Sequence, residues 1–131
     1  MAKLTKTAAQ LVEEARARID EVEASDLIAA MDDPDTVIVD IRDVRELQKV
    51  GRIPGSVHAP RGMLEFWVDT DSPYYREVFG QDGKRYVLHC ASGWRSALAA
   101  VALEDMGFAC APLKGGFTAW KAAGGPVEDK G

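Results

Sequence analysis

The stretch Tyr86-Val87-Leu88-His89-Cys90-Ala91-Ser92-Gly93-Trp94-Arg95-Ser96 decides how this chain folds. Tyr86 to His89 is an apolar run of the kind found in a strand buried on both faces. Cys90 stands at its C-terminal end. A helix rich in Ala and Leu follows almost at once, from about Arg95 to Met106, and Gly107 is placed to end it. The connection between them must curl tightly, and Gly93 supplies the conformational freedom. A strand that turns directly into a helix is one half of a parallel α/β unit.

The same grammar recurs on either side. Val37-Ile38-Val39 is a second buried strand that ends in Asp40-Ile41-Arg42, and Val44 to Val50 is a short helix. Phe108-Ala109-Cys110-Ala111 reads as a third strand, Gly115-Gly116 as a turn and 117–123 as a last helix. Glu21-Val22-Glu23 suits a very short strand, and Ser25 suits the N-cap of a helix running through Met31. Residues 60–83 are irregular and aromatic, with a short helix expected at 73–79. Leu4, Ala8, Leu11, Val12, Ala15 and Ile19 share one face of an N-terminal helix, and Thr7 with Gln10 forms a capping box. Strands and helices in alternation imply a mostly parallel sheet. Ligands of such sheets sit beyond the C-terminal ends of the strands. Asp40 to Arg42 and Cys90 to Arg95 both arrive there.

The 131 residues fit one domain large enough to hold a core without staples. The expected division is an amphipathic helix over 1–19 and an α/β domain over 20–131. A net charge of −5 with no basic stripe argues against nucleic acid and anionic membranes as partners. No apolar run approaches the length of a membrane span. Glu13 and Glu14 interrupt any leader-like reading of the N-terminus, so the expected compartment is the cytoplasm. The two cysteines, Cys90 and Cys110, then make no disulfide framework, and His58 and His89 lack the spacing of metal ligands. The N-terminal helix is read as an extension packed on the domain, with a homodimer contact as the alternative.

The chemistry lies at Cys90. Successive N–H groups in its loop can form a nest for an anion, and the following helix adds its positive N-terminal end. Arg95 adds a full charge. Together these favour a thiolate nucleophile. The candidate substrate-binding residues are therefore Ala91, Ser92, Gly93, Trp94 and Arg95. Arg61 follows Pro60 in a loop that passes near this cradle, and reads either as a second cation for an anionic substrate or as a solvated arginine. Trp94 is expected to project outward, because its bulk does not fit a tight cradle. Cys110, inside an apolar segment, reads as a small core residue. His89 precedes the nucleophile and should face the other side of the sheet.

These residues carry a resemblance. The chain resembles the single-domain rhodanese-like sulfurtransferases over about residues 20–127. Asp40-Ile41-Arg42 looks like that family's Asp-x-Arg. Glu46 with Gly51-Arg52-Ile53-Pro54-Gly55-Ser56 looks like its Glu followed by Gly-His-Ile-Pro-Gly-Ala, with Arg52 and Ser56 departing from the pattern. Cys90 to Arg95 occupies the place of the catalytic loop. Gly115-Gly116, Trp120 and Gly125-Pro126-Val127 look like its closing motif.

The resemblance implies a three-layer α/β fold with a central parallel sheet of about five strands flanked by helices. It also implies transfer of a sulfane sulfur from a donor such as thiosulfate to cyanide or a thiol, through a persulfide on Cys90, with no metal or organic cofactor. Related phosphatases carry one more residue between Cys and Arg than the four found here, and the shorter loop is matched to sulfur. The alternatives are a persulfide carrier or sensor serving a protein partner, and an arsenate reductase or phosphatase using the same anion cradle.

Overall fold

Two central strands place the site. In the computed structural model, which describes residues 3–129, β1 (Thr36–Asp40) and β3 (Arg85–His89) pair in parallel from Thr36 opposite Arg85 to Asp40 opposite His89. Two-residue strands flank them, β2 (Val57–His58) beside β1 and β4 (Ala111–Pro112) beside β3. The order is β2-β1-β3-β4, all parallel. The helices are α1 (Ala8–Arg18), α2 (Ala24–Ala30), α3 (Val44–Val50), α4 (Leu64–Val68), α5 (Trp94–Asp105) and α6 (Gly116–Ala122).

Alternation along β1 and β3 sorts the core into two layers. Val39, Tyr86, Leu88 and Cys90 pack with Leu64 of α4 and Ala99, Ala100 and Leu103 of α5. Ile38 and Val87 face the other way, onto Leu27 of α2 and Phe117 and Trp120 of α6. Helix on sheet on helix is the three-layer architecture that the family resemblance implies. Helix α1 adds to the outside, setting Val12 and Ala15 against Ala97 of α5. Its capping box is present: Thr7 Oγ1 accepts from the Gln10 N–H at 3.1 Å, and Gln10 Oε1 accepts from the Thr7 N–H at 2.7 Å.

The sheet has four strands rather than about five. Glu21-Val22-Glu23, read as a very short strand, touches the edge only through an isolated bridge, Val22 beside Leu113. The chain turns into α2 at Ala24, too soon to extend the pairing. The third strand is shorter and later than its apolar run suggests. Only Ala111 and Pro112 pair with β3, and Phe108 turns inward onto Phe79 and Tyr86. Ser25 does not cap α2, whose N-cap is Glu23 without a side-chain bond. Residues 60–83 hold a 3₁₀ turn at Arg61–Met63 and the helix α4. The helix expected over 73–79 is reduced to a 3₁₀ turn at Glu77–Phe79. Among the described residues, no helix is long and apolar enough to cross a membrane.

Candidate active site

Cys90 leaves β3 at the end of the sheet where β1 also finishes. Its Sγ accepts the Gly93 N–H at 3.1 Å and lies 3.5 Å from Ser96 Oγ. The loop closes this tightly because Gly93 adopts φ +99°, a left-handed conformation, as the N-cap of α5. A Cβ there would stand 3.1 Å from the Gly115 nitrogen and 3.3 Å from Arg16 Nη2. In the first turn of α5, the Trp94 and Arg95 N–H groups have no backbone acceptor among the described residues. The helix terminus therefore faces the loop with free donors.

The outer side of the loop is fastened by α6. The Phe117 N–H donates to the Cys90 carbonyl at 2.8 Å and the Thr118 N–H to the Ala91 carbonyl at 3.1 Å. This approach explains the Gly115-Gly116 pair. A Cβ on Gly116, at φ +60°, would lie 2.6 Å from the Cys90 oxygen and 2.7 Å from the Ala91 oxygen.

Arg95 forms a two-pronged ion pair with Glu46 of α3, at 2.8 and 2.9 Å. The Glu46 hydrogen bond raises the Arg95 pKa most, and the neighbouring Cys90 adds to the rise. The same bond holds the Glu46 carboxyl below its ordinary value. Beneath lies a buried pair. Arg42 binds Asp40 through Nε at 2.9 Å and Nη2 at 2.7 Å, donates to the Gly51 carbonyl and stacks on Phe117, 4.3 Å from the ring centre. Burial pulls the Asp40 carboxyl up, but the Arg42 hydrogen bonds and surrounding positive charge outweigh it, leaving the pKa lowered. His89 is buried on the α6 side with Nε2 3.6 Å from Asp40 Oδ2, and burial lowers its pKa despite that neighbour. His58 Nε2 lies 2.7 Å from the Arg42 carbonyl. His58 thereby braces the segment after β1.

Of the residues expected at the site, Cys90 to Arg95 run consecutively from the end of β3 into α5, and the Gly93 N–H is the backbone donor on Sγ. Ser92 and Trp94 are exposed, and Trp94 points outward as expected. Arg61 stands at the same end of the sheet, its N–H bonded to the Ile41 carbonyl, but its guanidinium pairs with Glu65 at 2.9 Å. Sequence reasoning did not pair Glu46 with Arg95 or bring Arg16 of α1 to the loop. Glu46 was visible in a motif, whereas nothing in the local pattern around Arg16 marks it. A cleft of about 400 Å³ opens beside the loop and not over Sγ. Ala91 lines it and Cys90 does not.

A β-strand delivering a cysteine into a nest at a helix N-terminus, braced by a Glu–Arg pair, defines a class. The rhodanese-like domain profile matches residues 23–123, and the chain belongs to that family. It is 33% identical over 89 residues to "Putative sulfurtransferase YtwF" of Bacillus subtilis, covering 68% of this chain and 77% of that protein. Among solved structures, a Rhodopseudomonas palustris protein of unknown function, described as a possible tyrosine phosphatase, superposes with TM-score 0.92 at 46% identity over 98% of both chains. A Thermoplasma volcanium rhodanese-related protein gives TM-score 0.68 at 27% identity, over 84% of this chain and 98% of that one. A Pseudomonas aeruginosa thiosulfate sulfurtransferase gives 0.69 at 29%, over 86% of this chain and 20% of that larger one.

Proposed function

We propose that the protein is a sulfurtransferase that carries a sulfane sulfur as a persulfide on Cys90. The observation that carries this reading is the Gly93 N–H aimed at Sγ from 3.1 Å, at the mouth of a helix whose first N–H groups are free. Such donors stabilise negative charge on sulfur, first on the attacking thiolate and then on the persulfide's outer atom. Membership of the rhodanese-like family and similarity to proteins named as sulfurtransferases support the same assignment.

The two half-reactions balance without a cofactor. The Cys90 thiolate attacks the outer sulfur of thiosulfate. The sulfur–sulfur bond breaks, and sulfite leaves with the electron pair. An acceptor, cyanide or a thiolate, then attacks the outer sulfur of the persulfide, and the Cys90 thiolate departs as it came. This is covalent nucleophilic catalysis with ping-pong order. Arg95 holds positive charge beside the loop. Arg61 is assigned as a second cation for the donor, because its backbone is fixed at the same end of the sheet.

Thiocyanate formation from thiosulfate and cyanide tests the reading. Parallel lines in double-reciprocal plots are expected, with loss of activity in Cys90→Ser. A folded, reduced protein that takes up no sulfur from thiosulfate or from a persulfide donor contradicts it. Similarity to the protein described as a possible tyrosine phosphatase gives a second reading, phosphate ester hydrolysis in the same cradle. Four residues between Cys90 and Arg95 leave a tight cradle, and no hydrolysis of p-nitrophenyl phosphate is expected.

A further inference from the structure

The cleft of about 400 Å³ is not explained by sulfur chemistry at Cys90. It is lined by Arg42, Glu46, Lys49, Val50, Ala91, Phe117, Thr118 and Lys121, from α3, α6 and the first residue after the nucleophile. Its volume is that of a small-molecule site. Phe117, Val50 and Ala91 supply apolar surface. Three cations and one anion line it, in a chain whose net charge is −5.

Two of those charges are already used. Glu46 is held by Arg95, and Arg42 by Asp40 and the Gly51 carbonyl. Lys49 and Lys121 are different. Outside the N-terminal Lys3, which also has none, the other described lysines, Lys6, Lys84 and Lys114, each have a carboxylate within 4 Å, on Glu14, Asp35 and Glu23. Neither Lys49 nor Lys121 has such a partner among the described residues, and Lys121 Nζ stands 5.9 Å from the Phe117 ring centre. Two ammonium groups without a carboxylate partner, one from α3 and one from α6, are complementary to a ligand with a negative head and an apolar body.

We propose that the cleft between α3 and α6 binds a small organic anion, its carboxylate between Lys49 and Lys121 and its apolar body against Phe117, Val50 and Ala91. The occupant rests on the backbone that carries the nucleophile, because Phe117 and Thr118 hold the Cys90 and Ala91 carbonyls. The site does not depend on sulfur transfer, so it stands or falls separately from that reading.

Hexanoate and its neutral analogue hexanamide, titrated into the full chain and followed by backbone amide NMR, test it. Saturable hexanoate shifts are expected at 46–50, 91 and 117–121. Hexanamide should bind at least five-fold more weakly, and Lys49→Gln/Lys121→Gln should weaken hexanoate by a similar factor. Cys90→Ser should bind hexanoate as the native chain does. Shifts that do not saturate or that lie elsewhere, equal binding of the neutral analogue, or unchanged affinity in the double lysine variant would each overturn the proposal.

Discussion

The two thiols of this chain differ in a way that burial alone does not describe. Cys90 is the more deeply buried, at 1% exposure, while Cys110 is only partly covered. Yet Cys90 Sγ meets the Gly93 N–H, the Ser96 hydroxyl and a helix N-terminus. The hydrogen-bond partner of Cys110 Sγ is a carbonyl, that of Ala100 at 4.0 Å. A carbonyl accepts and cannot stabilise a sulfur anion. Burial pushes the Cys110 thiol up to about 12, and the charge of Glu104 adds to the rise. Donor placement, not exposure, is what distinguishes the proposed nucleophile from Cys110.

The largest effect expected is on Cys110 itself. A rise from 9.0 to about 12 leaves a thousand-fold smaller thiolate fraction near neutral pH. A more basic thiolate is also more nucleophilic, so iodoacetamide should label Cys110 in the native Cys90→Ser chain on the order of a hundred-fold more slowly than in the same chain unfolded. Labelling at the unfolded rate would erase the contrast.

The support beneath Cys90 comes next. Asp40→Asn leaves the Arg42 guanidinium buried without its counter-charge, which should cost about 3–5 kcal/mol in urea unfolding. A loss below 1 kcal/mol would mean that the pair is not what holds this end of the sheet. The folded pKa of Asp40 lies below its unfolded value. Its stabilising contribution is therefore present above an unfolded pKa near 4 and is lost as pH falls through the lower folded value. The acid limb of the stability curve should flatten in Asp40→Asn.

Gly93→Ala tests the loop alone. Forcing a left-handed conformation on alanine should cost about 1–3 kcal/mol, and the contact with the Gly115 nitrogen should lower sulfur transfer more than it lowers stability. Equal losses in both would remove the special claim for the loop.

The smallest effects belong to the partly exposed ion pairs. Glu46→Gln should change the KM for thiosulfate by about 2–5-fold, within the range of surface pairs. Arg61→Ala should raise that KM more than it lowers kcat. An unchanged KM would take Arg61 out of the site.

Legibility followed sequence separation. The strand at Tyr86, the helix after Cys90 and the Thr7–Gln10 box are local patterns, and each lies where the sequence places it to within a residue or two. The four motifs named the family. Pairing at the sheet edges depends on neighbours that the strand does not contain, so Phe108 to Cys110 looked extended while Phe108 was needed in the aromatic core. Glu46 and Arg95 are 49 residues apart and meet only because α3 packs beside the loop. Helix α4 is five residues long, too short for its period to show. The cleft between α3 and α6 belongs to neither helix alone.

Where the sulfur goes decides the assignment of Cys90. Native chain, Cys90→Ser and Cys110→Ser would each be incubated with thiosulfate, and their intact masses compared before and after cyanide. A gain of about 32 Da, one sulfur on Cys90, is expected in the native and Cys110→Ser proteins, reversed by cyanide, and none in Cys90→Ser. A cyanide-labile adduct that survives in Cys90→Ser and disappears in Cys110→Ser would contradict it.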